Sequence, residues 1–113
     1  MAFTMLKSLI TTDEKGQRNL APLHPGEVLR EEYMEPLGLS AGKIAKAANV
    51  PRTRIERIVR EEIGITADTA VRLGKVFATT PEFWMNLQAR HDLLVAKAAL
   101  KGELEGIRML SLG

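Results

Sequence analysis

The segment 39–58, LSAGKIAKAANVPRTRIERI, constrains the fold of this 113-residue chain more than any other. Ser40 is a preferred residue type at a helix N-cap, and apolar residues recur at helical spacing from there to Ala48. Asn49 then falls where a tight turn needs a left-handed backbone, which glycine and, after it, asparagine tolerate best. Pro51 suits the start of another helix, because its missing N–H has no helical partner to lose there. The segment therefore predicts two short helices joined by a tight turn.

The second of these helices has an apolar face and a basic face. Ile55 and Ile58 mark the side that packs on the domain, which leaves the long polar side chains near the start of the helix pointing outward. A helix that enters the major groove of DNA must expose such side chains there, and arginine can donate two hydrogen bonds to a guanine. The residues predicted to make these contacts are Arg52, Thr53, Arg54 and Arg57, with the threonine suited to a phosphate or a thymine methyl group.

Charge is distributed unevenly along the chain, although the net charge is only +2. The segment 43–60 has six basic residues and one acidic residue, whereas 25–38 has four acidic residues and one basic residue. Such an arrangement attracts a polyanion to one face, although two solvated faces of opposite sign would look the same. The residues best suited to phosphate contacts, which fix register without reading sequence, are Lys43, Lys46 and Arg60. Glu61 and Glu62 argue against DNA binding if their loop faces the phosphates.

Capping residues and apolar periodicity extend the helical pattern over most of the chain. Helices are predicted over 25–36, 40–48, 51–60 and 66–77, with a fifth that begins at Thr80-Pro81-Glu82. No segment has the clear period-two alternation of a strand, so we predict an all-α fold of five helices. The chain is expected to comprise an N-terminal arm (1–23), a helix-turn-helix domain (24–96) and a C-terminal tail (97–113).

Several side chains have predicted structural roles. The first helix should bury one stripe, which is made of Val28, Leu29, Tyr33 and Leu37. Trp84 is expected in the core, and Gln88 is expected to cap or bridge helices. We expect His24 to cap the first helix and His91 to lie at the surface. Arg72 is expected to pair with a carboxylate of the first or third helix.

The composition excludes several classes of function. The chain has no cysteine, so disulfides and thiolate metal sites are excluded, and its two histidines lack the spacing of metal ligands. No serine lies in a nucleophile motif and no glycine-rich loop precedes a helix in a βαβ unit, so we predict no enzyme activity, cofactor, metal or small-molecule substrate. The apolar start of the chain is short, interrupted by Lys7 and without a cleavage pattern, and no run approaches a membrane span. A cytoplasmic protein without a membrane partner is expected.

Three motifs of the chain resemble the HigA family of antitoxins, a branch of the helix-turn-helix proteins related to the lambda and Cro repressors. They are HPGEVLREEYMEPLGLS at 24–40, the helix-turn-helix that follows, and ITADTAVRLGKVFATTPEFWMNLQARHDL at 65–93. Within the last of these, PEFWMNLQ at 81–88 is the most specific. The resemblance covers about two-thirds of the chain and implies a five-helix, lambda repressor-like fold.

The same resemblance implies a function with two partners. A member of the family is a homodimer that represses its own operon at a palindromic operator and neutralises a small toxin resembling RelE, a ribosome-dependent mRNA endonuclease. Arg52, Thr53, Arg54 and Arg57 fall on the family's recognition-helix positions. The chain departs from the family pattern at REEIGI (60–65) and at the start of the second helix (41–42), which weakens the carry-over of phosphate contacts.

Two other functions remain open at this point. The first is a solitary transcriptional regulator of the same fold without a toxin partner. The second is a protein-interaction module that has lost DNA binding, for which Glu61 and Glu62 are the one indication.

Overall fold

The structure, a computed structural model, describes residues 10–12, 18–20 and 23–111 of the chain. Two short strands, β1 (Ile10–Thr12) and β2 (Arg18–Leu20), pair antiparallel with Ile10 opposite Leu20. They belong to the predicted N-terminal arm, most of which lies outside the described residues.

Within residues 23–111 the structure has the five helices that were predicted. The first, α1, comprises three consecutive segments, Pro25–Val28, Leu29–Met34 and Glu35–Leu37, of which the middle one is π-helical. The others are α2 (Ala41–Ala48), α3 (Arg52–Val59), α4 (Ala67–Phe77) and α5 (Pro81–Ala99). A 3₁₀ turn follows at Glu103–Gly106. Helix α5 continues to Ala99, past residue 96, at which we expected the domain to end. The division into arm, domain and tail stays a prediction.

Local sequence determines where the helices begin. Four helices start at a residue whose side chain accepts a hydrogen bond from a backbone N–H of the first turn, which satisfies one of the donors that a helix start leaves free. These caps are His24 to Gly26 (2.9 Å), Ser40 to Lys43 (3.1 Å), Thr66 to Thr69 (3.3 Å) and Thr80 to Phe83 (3.1 Å). The predicted cap at His24 is confirmed.

The core is centred on Trp84 of α5, which is fully buried. Its ring lies 5.4 Å from that of Tyr33 and 5.1 Å from that of Phe83, and its Nε1 donates to Thr79 Oγ1 at 2.9 Å. The large aliphatic side chains that are also fully buried are Leu29, Ile44, Ile55, Ile58 and Leu73. The core role predicted for Trp84 is therefore confirmed.

The predicted stripe of α1 is wrong at its last residue. Val28 and Leu29 are buried as expected, but Leu37 is 56% exposed. The π-helical segment that ends at Met34 has wider turns than an α-helix. It therefore rotates every later residue off the 3.6-residue stripe, and Leu37 leaves the core side.

His91 does not lie at the surface as predicted. It is partly buried, and its ring meets that of His24 edge-on with centroids 4.9 Å apart. Burial lowers the pKa of His24 below its usual value, and the nearby His91 lowers it further. Since Nδ1 accepts the capping hydrogen bond, the cap of α1 requires the neutral form of His24, which a lowered pKa favours.

Gln88 bridges two parts of the fold, as predicted. Its Oε1 accepts a hydrogen bond from the backbone N–H of Ile65 at 2.6 Å, and its Nε2 donates to Asp92 at 2.9 Å. The side chain also passes over Gly64, where a Cβ would lie 2.7 Å from Gln88 Oε1. This contact joins α5 to the loop that leads into α4.

Candidate nucleic-acid interface

Helices α2 and α3 are joined by the predicted left-handed turn. Asn49 has φ 58° and ψ 51°, and its backbone N–H donates to the carbonyl of Lys46 at 3.3 Å. The N–H of Val50 donates to Ala45 at 3.0 Å, and the Val50 side chain packs against the core. Pro51 takes the N-cap position of α3 with an extended backbone, one residue before the helix itself. The helix-turn-helix geometry predicted from the sequence is present.

Arg72 of α4 holds this turn from outside the motif. Its Nη1 donates to the carbonyl oxygens of Ala48 (2.9 Å) and Asn49 (3.2 Å), and its Nε donates to Asp68 Oδ1 (2.7 Å). The predicted partner, a carboxylate of the first or third helix, is wrong, because the carboxylate lies one turn earlier on the same helix. A cation beside the last carbonyl groups of α2 also complements the negative end of that helix.

The residues predicted to contact bases lie along α3, and three of them are exposed. Arg52 and Arg57 have side chains 69% and 55% exposed, Thr53 is exposed, and Arg54 is 37% exposed. The packed side of the same helix holds Ile55 and Ile58, which are fully buried. The structure thus places the four predicted residues together on one helix.

Each arginine of this surface is paired with a carboxylate. Arg52 Nε lies 3.2 Å from Glu56, Arg54 Nη1 lies 2.9 Å from Asp68, and Arg57 Nε lies 3.6 Å from Glu62. The pairs of Arg52 and Arg57 are isolated and exposed, and pairs of this kind contribute little to stability, so they are easily exchanged for contacts to a polyanion. The hydrogen bond from Arg72, and after it the one from Arg54, lowers the pKa of Asp68.

The acidic loop after α3 is neutralised in part by basic side chains. Glu61 has φ 62° and lies 3.4 Å from Arg30 Nη2, while Arg30 Nη1 donates to the carbonyl of Val59 at 2.6 Å. Glu62 is the partner of Arg57 described above. Both carboxylates thus lie beside guanidinium groups, which reduces the repulsion that they exert on a phosphate.

Lys43, Lys46 and Arg60, the predicted phosphate contacts, are exposed. Among the described residues none of the three has an ion-pair partner. The stem of Arg52 lies over the start of α2, since a Cβ on Gly42 would be 3.4 Å from Arg52 Cδ. The predicted base-contacting surface therefore adjoins the helix that carries both lysines.

Asp68 and Arg72 also belong to this site, although the sequence did not point to either of them as part of it. Arg52 and Glu56 are four residues apart on one helix, a spacing that favours a pair and is visible in the sequence. Arg54 and Asp68 are 14 residues apart on different helices, and no local pattern joins them.

The described residues include no group of three or more histidine and acidic side chains that could hold a metal ion. In the same part of the chain, no helix is both long and apolar enough to cross a membrane.

Two helices joined by a left-handed turn, with the second one basic and exposed, define a helix-turn-helix DNA-binding protein. The family model described as Helix-turn-helix matches residues 31–84. Virulence-associated protein I of Dichelobacter nodosus is 50% identical over 82 residues, which are 73% of this chain and 76% of that protein. Antitoxin HigA-1 of Vibrio cholerae is 30% identical, over 79% of this chain and 84% of that protein.

One solved structure is similar to this chain over most of the length of both. Pseudomonas aeruginosa antitoxin HigA with the higBA promoter has a TM-score of 0.77 and 42% identity, and the match covers 80% of this chain and all of that one. The chain belongs to the HigA antitoxin family of helix-turn-helix proteins, and the predicted repressor-like five-helix fold is confirmed. Proteins of this family are regulators and antitoxins and not enzymes.

Proposed function

We propose that the protein is an antitoxin that represses its own operon by binding an operator through α3. The observation that carries the proposal is the exposed row of arginines on the second helix of a helix-turn-helix. The Pseudomonas aeruginosa HigA structure with its promoter supports the assignment of DNA as the ligand. A repressor of this kind acts in the cytoplasm, where operator DNA lies.

In this proposal, base reading and phosphate binding are divided between two sets of side chains. Arg52, Arg54 and Arg57 donate to base edges, with Thr53 beside them, whereas Lys43, Lys46 and Arg60 bind phosphates. The loss of Arg52 or Arg54 should cost about 1–3 kcal/mol per half-site and relax sequence preference. The loss of Lys46 should weaken binding to all sequences alike and flatten the salt dependence.

The experiment is fluorescence anisotropy on DNA from just upstream of the gene, with a scrambled duplex at ~150 mM salt as the reference. We expect tight binding to the upstream duplex that is lost when Arg52 and Arg54 are both changed to alanine. The control is Lys75→Ala, which removes an exposed positive charge from α4, away from both α3 and the proposed dimer contact, and should bind as the parent does. Equal binding of both duplexes by the parent would refute sequence-specific recognition.

A homodimer would place two copies of α3 about 34 Å apart, in successive major grooves of a palindrome. The apolar side chains that are exposed on α5 and beyond it support a contact there. They include Leu93 (54%), Leu100, Leu104 and Ile107. Leu93→Glu with Ile107→Glu should dissociate the dimer in sedimentation, whereas Val71→Glu, at an exposed apolar residue of α4, should not. A fully dimeric double variant would place the contact elsewhere.

The toxin partner requires a separate test. We expect a neighbouring reading frame of about 90 codons whose basic, RelE-like product copurifies with this chain when both are expressed together. If no such reading frame is present, or if its product does not bind, the protein is a solitary regulator. If the upstream DNA does not bind but the toxin does, it is a protein-interaction module.

A further inference from the structure

A carboxylate outside the helix-turn-helix holds one of the proposed base-reading arginines. Asp68 lies in the first turn of α4, and its Oδ1 accepts a hydrogen bond from Arg54 Nη1 at 2.9 Å. Arg54 is also the least exposed of the three arginines on α3. Its guanidinium group is therefore held in one place, although it lies at the surface.

Asp68 is itself held in position. The same Oδ1 accepts from Arg72 Nε at 2.7 Å, and Arg72 Nη1 donates to the two carbonyl oxygens at the end of α2. A continuous series of hydrogen bonds thus joins the turn, Arg72, Asp68 and Arg54. The other two arginines differ, because Glu56 and Glu62 have no second basic partner among the described residues.

The contact leaves one edge of Arg54 available to DNA. Nη1 is used by Asp68, whereas Nε and Nη2, which lie side by side on the guanidinium group, have no partner among the described residues. Two adjacent donors are what the O6 and N7 atoms of guanine require. A guanidinium group that is already oriented loses less side-chain freedom when it binds.

We propose that Asp68 is a specificity-determining residue, which orients Arg54 so that its free edge meets a guanine. This inference rests on the proposed operator-binding function. The carboxylate has a second effect, since its negative charge repels phosphates of every sequence alike. Asp68 should therefore strengthen binding to the operator and weaken binding to unrelated DNA, which increases the ratio of the two affinities.

The test compares Asp68→Ala with the parent on the upstream duplex and on the scrambled duplex. We expect the affinity ratio to fall about tenfold, as expected for the loss of about one good base contact. Operator binding should weaken, and binding to scrambled DNA should stay equal or become tighter. The matched control is Glu82→Ala, which removes an exposed carboxylate from the same helical position of α5 and should leave the ratio unchanged.

A double-mutant cycle identifies the route by which Asp68 acts. In an Arg54→Ala background, Asp68→Ala should change the ratio by less than about twofold. Asp68→Asn keeps an oxygen acceptor without the charge, so it should fold as the parent does. Its affinity ratio should lie between those of the parent and of Asp68→Ala. Thermal unfolding of each variant excludes a general loss of structure.

Four results would overturn the inference, three of them without touching the proposed function. Asp68→Ala could tighten binding to both duplexes equally, in which case the carboxylate only repels DNA. It could lower the ratio equally with and without Arg54, in which case it acts through the fold. The ratio could also fall with Arg54→Ala but not with Asp68→Ala, which refutes the orienting role alone. If Arg54→Ala itself leaves the ratio unchanged, the base-reading role of Arg54 in the proposed function fails, and this inference fails with it.

Discussion

Helices α1 and α3 meet at Gly26 so closely that one added methyl group should disrupt the domain. A Cβ on Gly26 would overlap the carbonyl oxygen of Ile58, and would lie 2.9 Å from its carbonyl carbon and 3.0 Å from His24 Nδ1. Ordinary carbon–oxygen contacts are about 3.3–3.6 Å long, so the two backbones must move apart to admit an alanine. Ile55 and Ile58 are fully buried on the same helix, and this movement would draw them out of the core.

We expect Gly26→Ala to lower the free energy of unfolding by about 3–4 kcal/mol, since overpacking alone costs about 1–3 kcal/mol and the displaced isoleucines add to it. In a domain of this size that corresponds to a fall in Tm of more than about 12 °C. The measurement is urea and thermal denaturation at one fixed protein concentration, because the stability of the proposed dimer would depend on concentration.

Gly42→Ala is the matched control for this substitution. A Cβ there meets Arg52 Cδ at 3.4 Å and Ser40 Oγ at 3.9 Å, which are ordinary contacts. Because glycine is unfavourable within a helix, this variant should be more stable by about 0.5–1 kcal/mol. If the free energy of unfolding of Gly26→Ala is within about 1 kcal/mol of the parent's, the close approach of α1 and α3 is not a determinant of stability.

Gln88→Ala leaves the N–H of Ile65 without its acceptor and should lower the free energy of unfolding by about 1–3 kcal/mol in urea denaturation. Asp92→Ala removes only the exposed end of the same network and should change the free energy of unfolding by less than about 0.5 kcal/mol. Equal losses of stability in Gln88→Ala and Asp92→Ala would contradict this reasoning. The pKa of His24 is lowered on folding by burial and by His91, so the stability that neutral His24 contributes is complete above its unfolded pKa. It is lost as pH falls below about 6.5 and through the folded-state pKa, and Tm should therefore decrease between pH 7.5 and pH 5. His24→Asn keeps a capping oxygen that does not titrate, so its Tm should decrease less over the same pH range. An identical decrease in Tm would exclude His24 as the cause.

The parts of the fold that could be predicted are those that nearby residues determine. Ser40, Thr66 and Thr80 each accept a hydrogen bond from the N–H three residues later, so the start of a helix is visible within four residues of sequence. The turn at Asn49 depends on the backbone preference of one residue in the same way. Such features do not depend on what packs against them.

The predictions that failed depend on contacts between distant residues or, for Leu37, on a local departure from the regular α-helix. The position of Leu37 follows from the π-helical segment before it, which the 3.6-residue period does not reveal. Arg72 satisfies carbonyl groups 23 and 24 residues earlier in the chain, and a search for opposite charges could not identify these partners. His91 meets His24 only because α5 packs against the start of α1.

The network around Arg72 has a consequence for attempts to transfer DNA specificity between proteins. The proposed recognition helix spans Arg52–Val59, but the side chains that fix its turn and one of its arginines belong to α4. A chimaera that exchanged only α3 would place foreign side chains opposite an unmatched Asp68. The smallest transplantable module therefore extends from residue 40 to residue 72, and sequence drift in α3 should be accompanied by drift in the first turns of α4.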